Sequence, residues 1–202
     1  KMEAMQGLFT GSKTLVIHAS ATREIIDAVK FAKARNIARL ALAAGAEALP
    51  AADLLKENHI TVIVPSIHSL PVTDDEDIDL QYSQAALLSK AGVKVAFSHT
   101  GSLGTGRNLP FYAGTSVAHG MEAEEALQAL TKNPAHLLGI QDRVGTLESG
   151  KDATLFVSEG DALDFRTNKL TAAFIGGKRL VLPGKHEDLY RRYSLKYGHI
   201  KE

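Results

Sequence analysis

Four short apolar runs recur in the first hundred residues and constrain the fold more than any other feature: TLVIHA (14–19), ARLALAAG (38–45), ITVIVPS (60–66) and VKVAFSH (93–99). None alternates cleanly between apolar and polar positions. Continuous apolar strands are buried on both faces, which is the signature of a parallel sheet. Helical patterns lie between the runs. TREIIDAVKFAKARN carries apolar residues at 25, 26, 29 and 32, one face of a helix, with Thr22 or Ser20 as its N-cap. AADLLKEN (51–58) repeats the pattern more briefly, and DLQYSQAALLSKAG (79–92) ends at Gly92 before the fourth run. The expectation is βαβαβαβ, with right-handed crossovers.

Beyond the fourth run the texture changes. NLPFYAGTSVAHGM and EAEEALQALTKNPAHLLGI read as two or three helices, the second broken at Asn133-Pro134. From Val144 onward, VGTLESGKDATLFVSEG and LTAAFIGGKRLVL read as short strands with glycine turns. Ile175-Gly176-Gly177-Lys178 is expected to form a two-residue hairpin turn. HEDLYRRYSLKYGH reads as a final amphipathic helix. Four βα units make half of a (β/α)8 barrel or a small open sheet; a complete barrel takes about 250 residues. The helix at the start and the β-rich tail favour the truncated barrel.

Composition narrows the function classes. With 202 residues the chain can bury one good core or two small ones. Its formal net charge of zero gives no electrostatic support to a nucleic-acid or anionic-membrane partner. The absence of cysteine excludes disulfides and thiolate metal sites. No apolar run approaches a membrane span, and KMEAMQGLFTG lacks the apolar region of a signal peptide. It reads instead as the end of an amphipathic helix closed by Gly11, as if the chain were part of a longer protein. The expected state is soluble: cytoplasmic by default, periplasmic if a signal peptide precedes this part.

In parallel α/β folds ligands bind beyond the carboxyl ends of the strands. His18 follows the first run, Glu47 the second, His68 the third and His99 the fourth. Imidazole is both a metal ligand and a proton shuttle, so His18, His68 and His99 are the candidates. Glu47 reads equally as a first-turn helix carboxylate. His59, His119, His136, His186 and His199 have no partner at ligand spacing and read as surface or packing residues. DDEDID (74–79) lacks the spacing of a calcium loop and reads as a solvated acidic loop. GSLGTG has no following Lys-Ser/Thr and the wrong order of gaps for a dinucleotide fingerprint, so it reads as a mobile active-site loop. Arg107 either clamps a substrate carboxylate or anchors that loop.

LGIQDRVGTLESGKDATLFV (138–157) closely resembles the segment by which members of the amidohydrolase superfamily leave the barrel and enter a small β-sandwich. EEALQALTKNPAHLLG before it resembles the same family, nearest to imidazolonepropionase-related amidohydrolases. The resemblance covers nearly the whole chain. It implies barrel strands five to eight over 1–142, the C-terminal part of a composite β-sandwich over 143–184, and a terminal helix over 185–202. It also implies a metal-dependent hydrolase of C–N bonds in cyclic amides, dipeptides or related small molecules. The metal, zinc in the first place and iron or manganese otherwise, would activate water, and an eighth-strand Asp would take its proton.

Carried over residue by residue, the match is partial. His18 fits the fifth-strand ligand. The sixth-strand His should fall near Gly45 to Glu47, and the eighth-strand Asp at His99 or Thr100; neither is there. The resulting expectation is a site in which His18 and His99 hold the metal, His99 also serves as base, and Arg107 and His68 meet substrate. The alternative is a degenerate enzyme, or a small-molecule-binding protein, on the same fold. An open four-stranded binding module complete in itself is a third reading. Half a barrel exposes two raw sheet edges, so the expected partner is the N-terminal half of the same protein or a second copy, as a homo-oligomer.

Overall fold

The structure is a computed structural model and describes residues 3–65, 67–71, 73–101, 104–182 and 184–200. The end of the third apolar run, Ser66, and Ser102-Leu103 of the glycine-rich loop lie outside the described residues. The chain divides into two compact units: residues 1–151 with 163–165, and residues 152–162 with 166–202.

The first unit begins with a 3-10 turn and α1 (Gln6–Phe9), a short helix that ends ahead of Gly11, whose φ is +75°. Then β1 (Leu15–His18), α2 (Thr22–Ala34), β2 (Leu40–Ala43), a 3-10 segment (Ala46–Ala51) leading into α3 (Ala52–Glu57), β3 (Thr61–Val64), α4 (Leu80–Lys90) and β4 (Val95–Phe97) follow in order. The strands pair in parallel, in the order β1-β2-β3-β4. This is the βαβαβαβ arrangement the apolar runs led us to expect. The sheet is open, and the described residues close no barrel.

Register explains the run composition. Ile17 pairs with Leu42, Leu42 with Val62, and Val62 with Val95, so large apolar side chains form rows on one face. That face packs on α2 to α6 in the core with Ile25, Val29, Leu55 and Leu88. Burying each such side chain contributes about 1.5–3 kcal/mol relative to leaving it exposed. The other face carries Val16, Ala41 and Thr61, then His18, Ala43, Ile63 and Ala96. Sequence analysis led us to expect burial on both faces, but on β1, an edge strand, the second face is open: Val16 is 41% exposed.

The N-cap of α2 is Ala21, not Thr22 or Ser20. The Glu24 carboxylate accepts hydrogen bonds from the Ser20 and Ala21 backbone N–H groups, at 2.8 and 3.2 Å, and does the capping in their place. This frees the Thr22 hydroxyl to reach Glu47. After β4 come α5 (Leu109–Ala118), α6 (Ala123–Leu130) and α7 (Lys132–Leu138). The break between the last two falls at Thr131, with φ −122° and ψ −77°, rather than at Asn133-Pro134. Pro134 sits in the first turn of α7, where its missing N–H costs nothing. Gly114 on α5 lets the 163–165 segment lie against the helix, because a Cβ there would stand 2.1 Å from the Leu163 carbonyl oxygen.

Helix α7 crosses beneath the amino ends of the strands. The Asn133 side chain donates to the Val95 carbonyl at the start of β4, at 2.8 Å. At its other end the Thr14 hydroxyl donates to the Leu137 carbonyl at 2.7 Å, and Arg39 Nη2 donates to the His136 carbonyl at 2.6 Å. Of the stretch expected as short strands with glycine turns, residues 144–151 form only turns: Gly145 and Gly150 have φ of +100° and +93°, and Thr146 donates to Glu148 at 2.7 Å.

In the second unit β5 (Leu155–Ser158), β6 (Leu170–Ile175) and β7 (Lys178–Arg179) form an antiparallel sheet. Ile175 pairs with Lys178 across Gly176 and Gly177, both at positive φ, which is the expected hairpin turn. The unit ends in α8 (Lys185–Lys196), with Tyr190, Tyr193 and Tyr197 exposed along it. No described helix is long and apolar enough to cross a membrane.

Asn133→Ala should cost about 1–2 kcal/mol of stability, because it leaves the Val95 carbonyl without this donor. Urea denaturation of the wild type and the variant measures the difference, and an unchanged midpoint would remove Asn133 from the account of how α7 is anchored.

Candidate active site

The carboxyl ends of the four strands are held together past the strands themselves. Ala19 N–H donates to the Ala43 carbonyl, Ala44 N–H to Ile63 and Ser98 N–H to Val64, at 2.9–3.2 Å. This rim frames a cavity of about 710 Å³. Its floor is Ala43 and Ile63, on the face opposite the helices, and its walls carry His18, Ser20, Glu47, Asp75, Glu76, Gln81, Ser98 and Thr100. Small side chains at Ala43, Ala44, Gly45 and Ala46 leave the space open.

His18 is where the apolar run placed it, at the end of β1 and on the cavity wall. The Glu47 carboxylate accepts from the Thr22 hydroxyl at 3.0 Å and so faces the first turn of α2. His99 is turned otherwise. It continues the phase of Val95 and Phe97, the helix-packed side, and its ring lies by α5: Nδ1 is 2.8 Å from the Tyr112 hydroxyl and Nε2 is 2.9 Å from the Thr105 hydroxyl. Its neighbours Ser98 and Thr100 line the cavity; His99 itself does not. His68 joins the same cluster. Its Nε2 is 2.8 Å from the Thr115 hydroxyl, and its ring meets Tyr112 edge-on, with centroids 4.7 Å apart. Tyr112, only 2% exposed, thus touches both histidines. Arg107 is exposed in the 3-10 turn Gly106–Asn108 and does not line the cavity.

The acidic segment is not merely solvated. Asp75 and Glu76 lie on the cavity wall, and Glu76 accepts from the Gln81 amide at 2.7 Å. The Thr73 hydroxyl, donating to Asp75, holds its carboxyl below the usual range, with a lesser contribution from the Asp75 backbone N–H. These carboxylates are site residues that sequence reasoning passed over. The signal was their position, directly ahead of a helix that returns to the rim.

Among the described residues no group of three or more His, Asp or Glu side chains could hold a metal ion. With both His99 ring nitrogens engaged by hydroxyls, the described residues do not by themselves assemble the ligand set of a metal hydrolase. Among the described residues, His18 is the one imidazole that lines the cavity.

The sequence profile of the amidohydrolase family matches residues 10–180. The chain belongs to that family. Imidazolonepropionase from Thermoplasma acidophilum is 34% identical over 114 residues, which cover 55% of this chain and 26% of that protein. The same enzyme from Thermoplasma volcanium is 36% identical over 86 residues, 42% of this chain and 21% of its own length. An amidohydrolase from Thermotoga maritima superposes with a TM-score of 0.77 at 28% identity, over 89% of this chain and 46% of that one. A Xaa-Pro dipeptidase with methionine in its active site shares the fold, at a TM-score of 0.60 and 21% identity over 89% of this chain and 47% of that one. The amidohydrolase chain thus spans about a quarter of the curated relatives it matches and just under half of these solved structures.

Burial pushes the His68 imidazole below its ordinary value of 6.5. The folded state therefore binds a proton at His68 less readily than the unfolded one. The stability tied to this residue is full above 6.5 and declines as pH falls below it. An NMR titration of the His68 ring should show a midpoint under 6.5; one at or above 6.5 would contradict this assignment.

Proposed function

We propose that the chain is the C-terminal portion of an amidohydrolase that hydrolyses a C–N bond in a small molecule, a cyclic amide or a dipeptide-like compound. In this reading the four-stranded sheet supplies strands five to eight of a (β/α)8 barrel. The segment from residue 143 to 184 supplies the C-terminal part of the β-sandwich. The observation that carries it is His18: an imidazole at the carboxyl end of β1, on the open face, at the wall of the 710 Å³ cavity, in a chain of this family. The preceding half of the protein, or a second copy, pairs along the free side of β1. The place of β1 at the edge of the sheet and a solved relative about twice as long support that arrangement.

Hydrolysis of an amide requires a base to take the proton of the attacking water and an acid to protonate the departing nitrogen. The groups this chain brings to the cavity for such transfers are His18 and the carboxylates of Glu47, Asp75 and Glu76. A divalent metal would supply Lewis acidity there, and His18 is the residue of this chain placed to hold it. A ligand role for His99 requires that the ion displace Tyr112 or Thr105 from its ring. Arg107 and His68 contact substrate only if they reach over the rim from their present places.

A second reading, a binding protein that has lost its chemistry, is favoured by one observation: the rim residues of β4 that face the cavity are Ser98 and Thr100, neither an acid. Elemental analysis and amide turnover of the intact protein separate the two. Under the first reading the protein carries stoichiometric divalent metal. His18→Ala then loses it and drops kcat/KM by about 100-fold or more, beyond the 10–100-fold effects of residues that only support a ligand. His99→Ala reports on the other histidine in the same assay. Metal retained by His18→Ala would refute its role, and an intact protein inert toward amides would favour the second reading.

A further inference from the structure

We infer that a groove beneath the sheet binds a small anion carrying linked phosphoryl groups, with diphosphate as its minimal form. The groove lies at the end of the sheet opposite the candidate active site, and the inference does not rest on the hydrolase reading.

The groove, about 440 Å³, lies where α7 crosses the amino ends of the strands. Arg39 just ahead of β2, Lys94 just ahead of β4, Lys132 of α7 and the imidazoles of His59 and His136 line it, and no aspartate or glutamate is among the lining residues. The chain as a whole balances 23 lysines and arginines against 23 aspartates and glutamates. Three permanent cations without an acid, gathered from three separate segments, are therefore a local departure from that balance. A concave surface lined by one sign of charge focuses its field on a counter-ion.

Structural duties do not use up these charges. Arg39 has one: its Nη2 donates to the His136 and Leu137 carbonyls, at 2.6 and 3.2 Å. Lys94 and Lys132 are exposed, and neither ammonium is engaged in a hydrogen bond or ion pair among the described residues. Lys132 sits in the first turn of α7, away from the carboxyl end where a helix favours a cation. The acids nearest to them are turned to other partners. Glu125, which shares a smaller adjoining cavity with Lys94, accepts from the Ser89 hydroxyl and does not line the groove. The Glu148 carboxyl is held below its usual range first by the Thr146 hydroxyl, then by Lys151 and least by Lys132.

The spacing and the donor types select the ligand. Lys132 and His136 are one turn apart on α7, about 6 Å along its axis. Asn133 ties the first of these ends to β4, beside Lys94, and Arg39 ties the second to β2. Positive groups thus enter from both ends of a groove that has the size of a small-molecule site. Linked phosphoryl groups engage both ends, where a single one fills only part of the space. Lysine ammoniums are point charges that suit tetrahedral phosphoryl oxygens. The planar fork that suits a carboxylate belongs to Arg39 and is already partly turned to the α7 carbonyls.

Calorimetric titration of the intact protein with diphosphate tests this, with orthophosphate and propane-1,2,3-tricarboxylate as comparisons at matched ionic strength. Diphosphate should bind about tenfold or more tightly than either, and its affinity should fall as salt rises. Lys94→Ala with Lys132→Ala should weaken it about tenfold or more, and each substitution alone about threefold. His18→Ala should leave it unchanged, which separates this groove from a metal or anion held in the His18 cavity. Thermal melts show whether the variants remain folded, and the single variants carry the test if the double variant does not. No binding of diphosphate, equal or tighter binding of either comparison anion, an affinity indifferent to the two lysines, or its loss in His18→Ala would overturn the inference. None of these readouts involves amide turnover, so the hydrolase reading stands or falls separately.

Discussion

Everything at the candidate site depends on a parallel register without a slip. From β1 to β4 the pairing holds His18, Ala43, Ile63 and Ala96 in one row, with Ile17, Leu42 and Val62 in the row on the opposite face. Because side chains alternate with period two, a shift of one residue in any pair would turn a whole strand over. The large residues would then leave the helices, and His18 would be carried into the core. The hydrophobic energy of one face thus fixes the chemistry of the other. No interaction at the rim itself is needed to bring His18 to the cavity.

Much of this was legible from the chain. The four runs, their helices and their order follow from apolar periodicity, and His18 follows from the rule that sites lie at carboxyl ends of strands. The faces were legible too, though through size rather than polarity. Leu40 and Leu42 alternate with Ala41 and Ala43, and Val95 and Phe97 with Ala96 and Ser98. Read that way, His99 belongs to the phase of Phe97 and turns toward α5, while Ser98 and Thr100 face the cavity. Position just past a strand was sufficient for His18 and insufficient for His99; parity separates them. What could not be read was the partner. Tyr112 lies thirteen residues on, on a helix whose rotation is set by its own packing.

The acidic segment shows a different limit. DDEDID has the composition of a solvated loop, and composition carries no information about what a loop is folded against. Its placement depends on α4, whose first residues Leu80 and Gln81 also line the cavity. Local hydrogen bonds then order it: Asp77 accepts from the Asp79 backbone N–H at 3.1 Å, and Gln81 donates to Glu76. A charge run reads as solvent-facing until a helix start pins it to a rim. Only the tertiary structure shows which of the two has occurred.

The opposite end of the sheet explains why the rim can be built from such polar, small and charged residues. The last carbonyls of a helix lack intrahelical partners. In α7 two of them, His136 and Leu137, are satisfied by Arg39 and Thr14, at the amino ends of β2 and β1. The Arg39 charge also lies at the negative end of the α7 dipole, where a cation is favourable. With Asn133 on β4, the helix braces the outer strands of the sheet from beneath. Stability is thereby concentrated at the amino ends and in the helix-packed face. The carboxyl ends are left free to carry glycine, alanine and the side chains of the cavity wall. A family that varies its substrates at one end of a sheet needs its braces at the other, and α7 supplies them in this chain.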